Sequence, residues 1–129
     1  MGRQAPGGQN VIDGLLRYQA QRNNVELIGF INGVTGLLNN DYEVMSQGTF
    51  KNFVNLGGYE YIGRGPDSLH AEQEKAKALE VVNGLGLTGL VIVGATNALT
   101  DGLYLAEYFK TNNASCRLIT VPASVDGDL

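Results

Sequence analysis

The chain has 129 residues, 43% of them hydrophobic, which is enough for one domain with a modest core. Nine basic against 13 acidic residues give a formal charge of −4 with no basic cluster. That balance argues against nucleic acid as the main partner and leaves small phosphorylated ligands open, because they need only local positive potential.

No apolar run approaches the roughly 20 residues that span a bilayer, and no charged-then-apolar leader opens the chain. A single cysteine, Cys116, rules out an internal disulfide and fits a reducing, cytoplasmic setting. Asn113-Ala114-Ser115 matches a glycosylation acceptor, and in that compartment it reads as chance. The 18 glycines gather at strand-to-helix junctions, a pattern of backbone-lined ligand loops more than of linkers.

Residues 2–9, GRQAPGGQ, form a Gly/Pro loop. Asn10 is positioned to cap a helix running to about Arg22, with Val11, Leu15, Tyr18 and Ile12 turned inward. Val25 to Ile31 reads as a buried strand that Asn32-Gly33 turns. Gly36 to Asn40 is an irregular turn, Thr49 to Leu56 one or two helical turns, and Tyr59 to Ile62 a short strand ended by GRGPDS at 63–68. Ser68 is placed to cap a helix from Leu69 to about Asn83. Ala76, Leu79 and Val82 line one side of it, and Glu72/Lys75, Glu74/Lys77 and Lys77/Glu80 pair on the solvated side. Leu90 to Val93 is an apolar strand, Gly94 to Asn97 a tight turn, Ala98 to Lys110 an amphipathic helix, and Arg117 to Val121 a last strand.

Strands alternating with helices predict βαβ crossovers. The expected class is α/β, a Rossmann-like three-layer sandwich with a mostly parallel sheet. No strand precedes the first Gly-rich loop, and VPASVDGDL stops just past the last strand, where α/β enzymes place their chemistry. Both ends read as cut, so residues 1–129 are expected to be part of a larger protein.

Four segments are candidates for chemistry. In Gly2 to Asn10, glycines let amides approach an anion, the following helix adds its positive dipole end, and Arg3 and Gln4 add donors. Arg64, in Gly63-Arg64-Gly65-Pro66, lies at a strand's carboxyl end, where a guanidinium grips phosphate bidentately, or else is a solvated loop arginine. Gly94-Ala95-Thr96-Asn97 carries no carboxylate before Asp101, so spacing favours a structural turn. Asp126-Gly127-Asp128 offers a proton acceptor at the end of a strand, and a DG turn is the commoner meaning of that spacing. His70 reads as a surface residue and Cys116 as a small residue leading into a strand, neither with metal-site spacing. The tyrosines read as packing.

Taken together, five ordered segments resemble the phosphofructokinase family, and specifically its pyrophosphate-dependent branch: APGGQNVIDGL, LIGFINGVTGLL, GGYEYIGRG, GLVIVGATNALTDGLYLAEYF and VPASVDGDL. The resemblance covers nearly the whole chain and implies a partial N-terminal nucleotide- or pyrophosphate-binding lobe. It implies glycolytic phosphoryl transfer from pyrophosphate, or ATP, to the 1-hydroxyl of fructose 6-phosphate, with Mg2+. The Gly2–Asn10 loop (Gly2, Arg3, Gln4) and the Gly94–Asn97 turn (Gly94, Thr96, Asn97) would face the donor, with Arg64 near the family's donor-phosphate arginine. Asp126 would be the general base, Asp128 would assist with metal or orientation, and Ser124 would touch the sugar phosphate or the transferring group.

Three segments depart from the family pattern. Where active pyrophosphate-dependent members resemble GGDD, this chain has GATN, with Thr96 and Asn97 replacing both aspartates. Their lysine before the catalytic motif (PKTIDGD) is Ala123 in PASVDGD, and the glycine pair opening the first loop is Gly2-Arg3. The donor side looks degraded while Asp126 survives, a pattern that resembles α-type regulatory subunits or lobes that pair with a catalytic β-type partner in an oligomer. A non-catalytic regulatory or assembly module is the alternative that this pattern leaves open.

Overall fold

The computed structural model describes residues 1–65 and 68–127. Asp128, one of the residues expected at the site, lies outside the described residues.

The carboxyl-terminal half is a βαβ unit. Strand β3 (Gly89–Gly94) and strand β4 (Arg117–Pro122) pair in parallel, with Val93 opposite Val121 and Gly94 opposite Pro122. A parallel pair needs a long crossover, and helix α5 (Thr96–Thr111) supplies it. Its inward face, Ala98, Gly102, Leu105 and Phe109, recurs at the helical spacing expected of an amphipathic helix. Helix α4 (Glu72–Gly84) joins the same core through Ala78 and Val82, beside Leu69, Leu90 and Cys116.

The amino-terminal half packs helix α1 (Gly8–Gln19) on an antiparallel pair, β1 (Leu27–Phe30) and β2 (Tyr42–Met45). Helix α2 (Val34–Asn39) links those strands, and α3 (Gln47–Phe50) with a 3-10 turn (Lys51–Phe53) follows. Ile12, Leu16, Met45, Phe50 and Ile62 form the second core. Tyr61 meets Phe50 edge to face, with ring centroids 5.1 Å apart, and its hydroxyl lies 2.8 Å from Thr49 Oγ1.

The α/β class and the parallel βαβ unit are as the periodicity predicts, and several local expectations are not. Helix α1 starts two residues before Asn10, with Gly7 at its N-cap in the left-handed region. There the amides of Gly7 and Gln9 donate to Gly57 O (2.9 Å) and Gly58 O (3.2 Å). A side-chain cap at Asn10 would contribute about 1 kcal/mol, less than two backbone bonds together with the burial of Ile12 and Leu16. Tyr18, expected inside, is 57% exposed under Arg22, whose guanidinium sits 4.5 Å from its ring.

Strand β2 answers no pattern in the sequence, since Tyr42, Glu43 and Val44 are all exposed and only Met45 is buried. Tyr59 to Ile62 is not a strand, because Gly63 N–H folds back onto Tyr59 O at 2.8 Å. Helix α4 begins at Glu72, not Leu69: the Leu69 N–H goes to the buried Asp101 carboxylate (3.2 Å), and Glu74 satisfies the Ala71 N–H. The buried face of α4 is Lys75, Ala78 and Val82, with Ala76 exposed. Of the three expected ion pairs, Glu72–Lys75 forms.

Candidate functional site

Three segments meet at the carboxyl end of β3. The first loop is pinned there by Gly2 N–H to Val93 O (2.8 Å) and by Ala95 N–H to Gln4 O (3.0 Å), and the segment after β4 by Ala123 N–H to Gly94 O (2.9 Å). The approach is close enough to demand missing side chains. A Cβ on Gly94 would stand 2.6 Å from the Ala98 Cβ, and one on Gly2 would stand 2.9 Å from the same atom. Both glycines are thus spacers that let the segments touch. Between the segments lies an open cleft of about 490 Å3, lined by Arg3 and Gln4, by Ala95 to Ala98, and by Ser124 to Asp126.

The electrostatics of the cleft combine backbone and side chains. No acceptor among the described residues meets the N–H groups of Thr96, Asn97 and Ala98 at the start of α5, and Ala95 makes no side-chain cap. Unsatisfied amides at the head of a 16-residue helix carry the positive end of its dipole, about half a charge. Arg3 adds the cleft's cationic side chain, and Asp126 its carboxylate. The start of α1, expected to offer the same thing, is closed: the Gly7 and Gln9 amides go to the Gly57 and Gly58 carbonyls, and those of Gly8 and Asn10 to Ala5 O and Gly7 O. The turn that spacing alone assigned to structure therefore heads the helix start that stays open, and the loop favoured for its glycines contributes side chains and spacing to the cleft.

Around Asp126 the chain makes a tight turn. Ser124 Oγ accepts the Gly127 N–H at 2.9 Å, and Gly127 sits at φ 67°, a conformation that suits glycine. The Ser124 oxygen is used as an acceptor, so its own proton remains available to donate. Asp126 is exposed at the cleft.

The family described as Phosphofructokinase matches residues 1–129, the whole chain. The chain belongs to the phosphofructokinase family. It is 38% identical, over 99% of its length and 22% of the relative's, to the pyrophosphate–fructose 6-phosphate 1-phosphotransferase of Treponema pallidum. It is 36% identical to subunit alpha 1 of the Arabidopsis thaliana enzyme of that name, over 99% of this chain and 21% of the relative. To the Solanum tuberosum subunit beta it is 35% identical, over 99% of this chain and 23% of the relative. The chain thus spans roughly a fifth of the length of these relatives, and its likeness to alpha and beta subunits is nearly equal.

Within this phosphofructokinase-family chain, Arg64 stands apart from the cleft. Its guanidinium lies 4.2 Å from the centroid of the Tyr59 ring, and its Nη1 donates to the Arg3 carbonyl at 2.5 Å. Asp101, the first carboxylate after the Gly94–Asn97 turn, is also elsewhere. It is 5% exposed, holds the Leu69 N–H, and lies 3.6 Å from Nε2 of the exposed His70.

Two residues that shape the site are not apparent from the sequence. Ala98 is the small residue against which Gly2 and Gly94 both pack. Gln9 is fully buried and accepts the Tyr61 N–H through Oε1 (2.9 Å), which ties the 57–61 loop to α1, while its Nε2 has no partner among the described residues. A glutamine beside a glycine pair gives no sign of that burial.

The described residues do not fit the Mg2+ that the family resemblance implies. The cleft offers one carboxylate, Asp126, with a neutral hydroxyl and amide at Thr96 and Asn97, and no group of three His, Cys, Asp or Glu among the described residues is placed to hold a metal. No helix among them is long and apolar enough to cross a membrane.

Proposed function

We propose that this chain is the donor-facing part of a 6-phosphofructokinase. The whole protein would move phosphoryl from pyrophosphate, or ATP, to fructose 6-phosphate, giving fructose 1,6-bisphosphate in cytoplasmic glycolysis. In the full reaction the 1-hydroxyl oxygen attacks the terminal phosphorus, its proton passes to a carboxylate, and the bond to the leaving phosphate breaks. Asp126 occupies the proton-accepting position. The Ser124 hydroxyl donates to a phosphoryl or sugar-phosphate oxygen, Asp128 assists in orientation, and Arg3 with the α5 amides receives the donor's charge. Gly2 and Gly94 act by letting these segments meet, and Arg64 acts from outside the cleft.

One observation carries the proposal: the cleft joins an open helix start and Arg3 to the Asp126 turn, yet presents neutral Thr96 and Asn97 at that helix start. Phosphate binding needs the amides and the guanidinium. Phosphoryl transfer needs, in addition, charge that develops with the transition state to be met, and each missing group can cost several kcal/mol. The lobe is accordingly proposed to bind phosphate groups without turning them over, as an α-type, regulatory part that works with a catalytic β-type partner in an oligomer. The alternative within the same family is a pure assembly module, favoured by the relatives whose names mark them as alpha and beta subunits.

Calorimetry with pyrophosphate, fructose 6-phosphate and fructose 1,6-bisphosphate separates the two. Saturable binding of pyrophosphate supports the phosphate-binding lobe. No binding of any of the three, with the chain folded, leaves assembly alone.

A further inference from the structure

Arg64 sits at the end of a line of contacts that begins in α1. Gly57 O, Gly58 O and Tyr61 N–H are all bonded to the first turn of α1, through Gly7 N–H, Gln9 N–H and Gln9 Oε1. Tyr59, inside that anchored loop, presents its ring to the Arg64 guanidinium at 4.2 Å. The guanidinium in turn donates to the Arg3 carbonyl (2.5 Å), and the neighbouring Gly65 N–H reaches Met1 O (3.4 Å). A planar guanidinium is suited to this double use, one face on a ring and an edge N–H on a carbonyl. Arg64 does not line the cleft, whereas Arg3 does.

We propose that Arg64 is a positioning residue: stacked on Tyr59, it holds the Arg3 backbone at the cleft and so raises phosphate affinity without touching the phosphate. The inference rests on the phosphate-binding reading of the cleft. Its physical basis is preorganisation. A loop already held where its side chain must act loses less freedom when the anion arrives. The α1-anchored loop is rigid enough to serve as the reference, since three of its backbone groups are bonded to one helix turn. Arg64 also adds positive charge near the cleft, so a test must separate charge from placement.

The variants Arg64→Gln, Arg64→Ala, Tyr59→Leu and Arg3→Gln do so in the whole 129-residue chain. Glutamine removes the charge and keeps a flat amide that donates. Two readouts are needed: amide hydrogen exchange at Gly2 and Gly65 in the free protein, and pyrophosphate titration by calorimetry. Expected are exchange at both glycines faster by about tenfold in R64A and Y59L, with R64Q close to the parent. Pyrophosphate affinity should fall by roughly tenfold in R64A and Y59L, with no further loss when the two are combined, and by about threefold or less in R64Q.

Unchanged exchange in R64A overturns the positioning role whatever the ligand does. Loss of affinity in R64Q equal to that in R3Q also overturns it, by making Arg64 a direct phosphate ligand. If exchange responds as expected while the parent chain binds no pyrophosphate, the positioning of Arg3 stands and the phosphate-binding reading of the cleft fails.

Discussion

The hydroxyl oxygen of Ser124 accepts the backbone N–H of Gly127 at 2.9 Å, so the turn that presents Asp126 is closed by a side chain two residues before it. Ser124→Ala removes that closure. The expected cost in global stability is small, roughly 1 kcal/mol or less for one exposed bond. The effect on ligands that reach Asp126 should exceed it, and Ser124→Thr should retain binding. Calorimetry with fructose 6-phosphate beside a denaturant melt measures both. Equal binding in the Ala variant and the parent contradicts the role.

Gly94 and Ala98 stand so close that a Cβ on Gly94 would lie 2.6 Å from the Ala98 Cβ. Gly94→Ala is therefore expected to destabilise by about 1–3 kcal/mol through overpacking. Ala98→Gly added to it should cost clearly less than the sum of the two single changes, because it removes the clashing atom, although a helix glycine itself costs about 1 kcal/mol and Gln4 O stays 3.2 Å from the new Cβ. Urea unfolding of the single and double variants reads this directly, and additive losses would refute the contact.

Thr96 and Asn97 give the α5 start its neutral character. Thr96→Asp with Asn97→Asp should create Mg2+ binding that the parent lacks, seen as a saturable heat on titration with magnesium chloride. Two carboxylates in the first turn should also stabilise α5, each by roughly 0.3–1 kcal/mol. Equal Mg2+ binding by the parent would show that the described cleft is not the limiting feature.

Cys116 is 5% exposed, and burial pushes its thiol above the ordinary value of 9.0. The neutral thiol is the form the fold favours. The linked stability is fully present below about pH 9.0 and declines as pH rises through the higher folded value. Urea melts between pH 8 and 10 should lose stability more steeply in the parent than in Cys116→Ala. Maleimide labelling should be slow in the native chain and fast once it unfolds.

How much of this was legible in the sequence depends on what the signal rests on. The βαβ unit was, because Leu90 to Val93 is wholly apolar and Leu105 and Phe109 recur at helical spacing. β2 was not, because Tyr42, Glu43 and Val44 are exposed and only pairing with β1 makes them a strand. The start of α4 was misplaced because Asp101, more than thirty residues on, takes the Leu69 N–H. At the site, Arg3, Gln4 and Asp126 were marked by their junctions, Thr96, Asn97 and Ser124 only by the family resemblance, and the structure brings all six together. Arg64 was marked for its charge, yet its guanidinium is occupied by Tyr59 and the Arg3 carbonyl. Which of two glycine-rich helix starts is open could not be read locally, since the Gly57 and Gly58 carbonyls that close α1 arrive from about fifty residues away.

Phosphorus NMR of the purified chain with pyrophosphate, fructose 6-phosphate and magnesium tests binding and turnover at once. The expected pyrophosphate resonance shifts or broadens with added protein, loses that response in Arg3→Gln, and keeps its integral over hours. Growth of orthophosphate together with a second sugar-phosphate resonance, at a rate set by protein concentration, would contradict it.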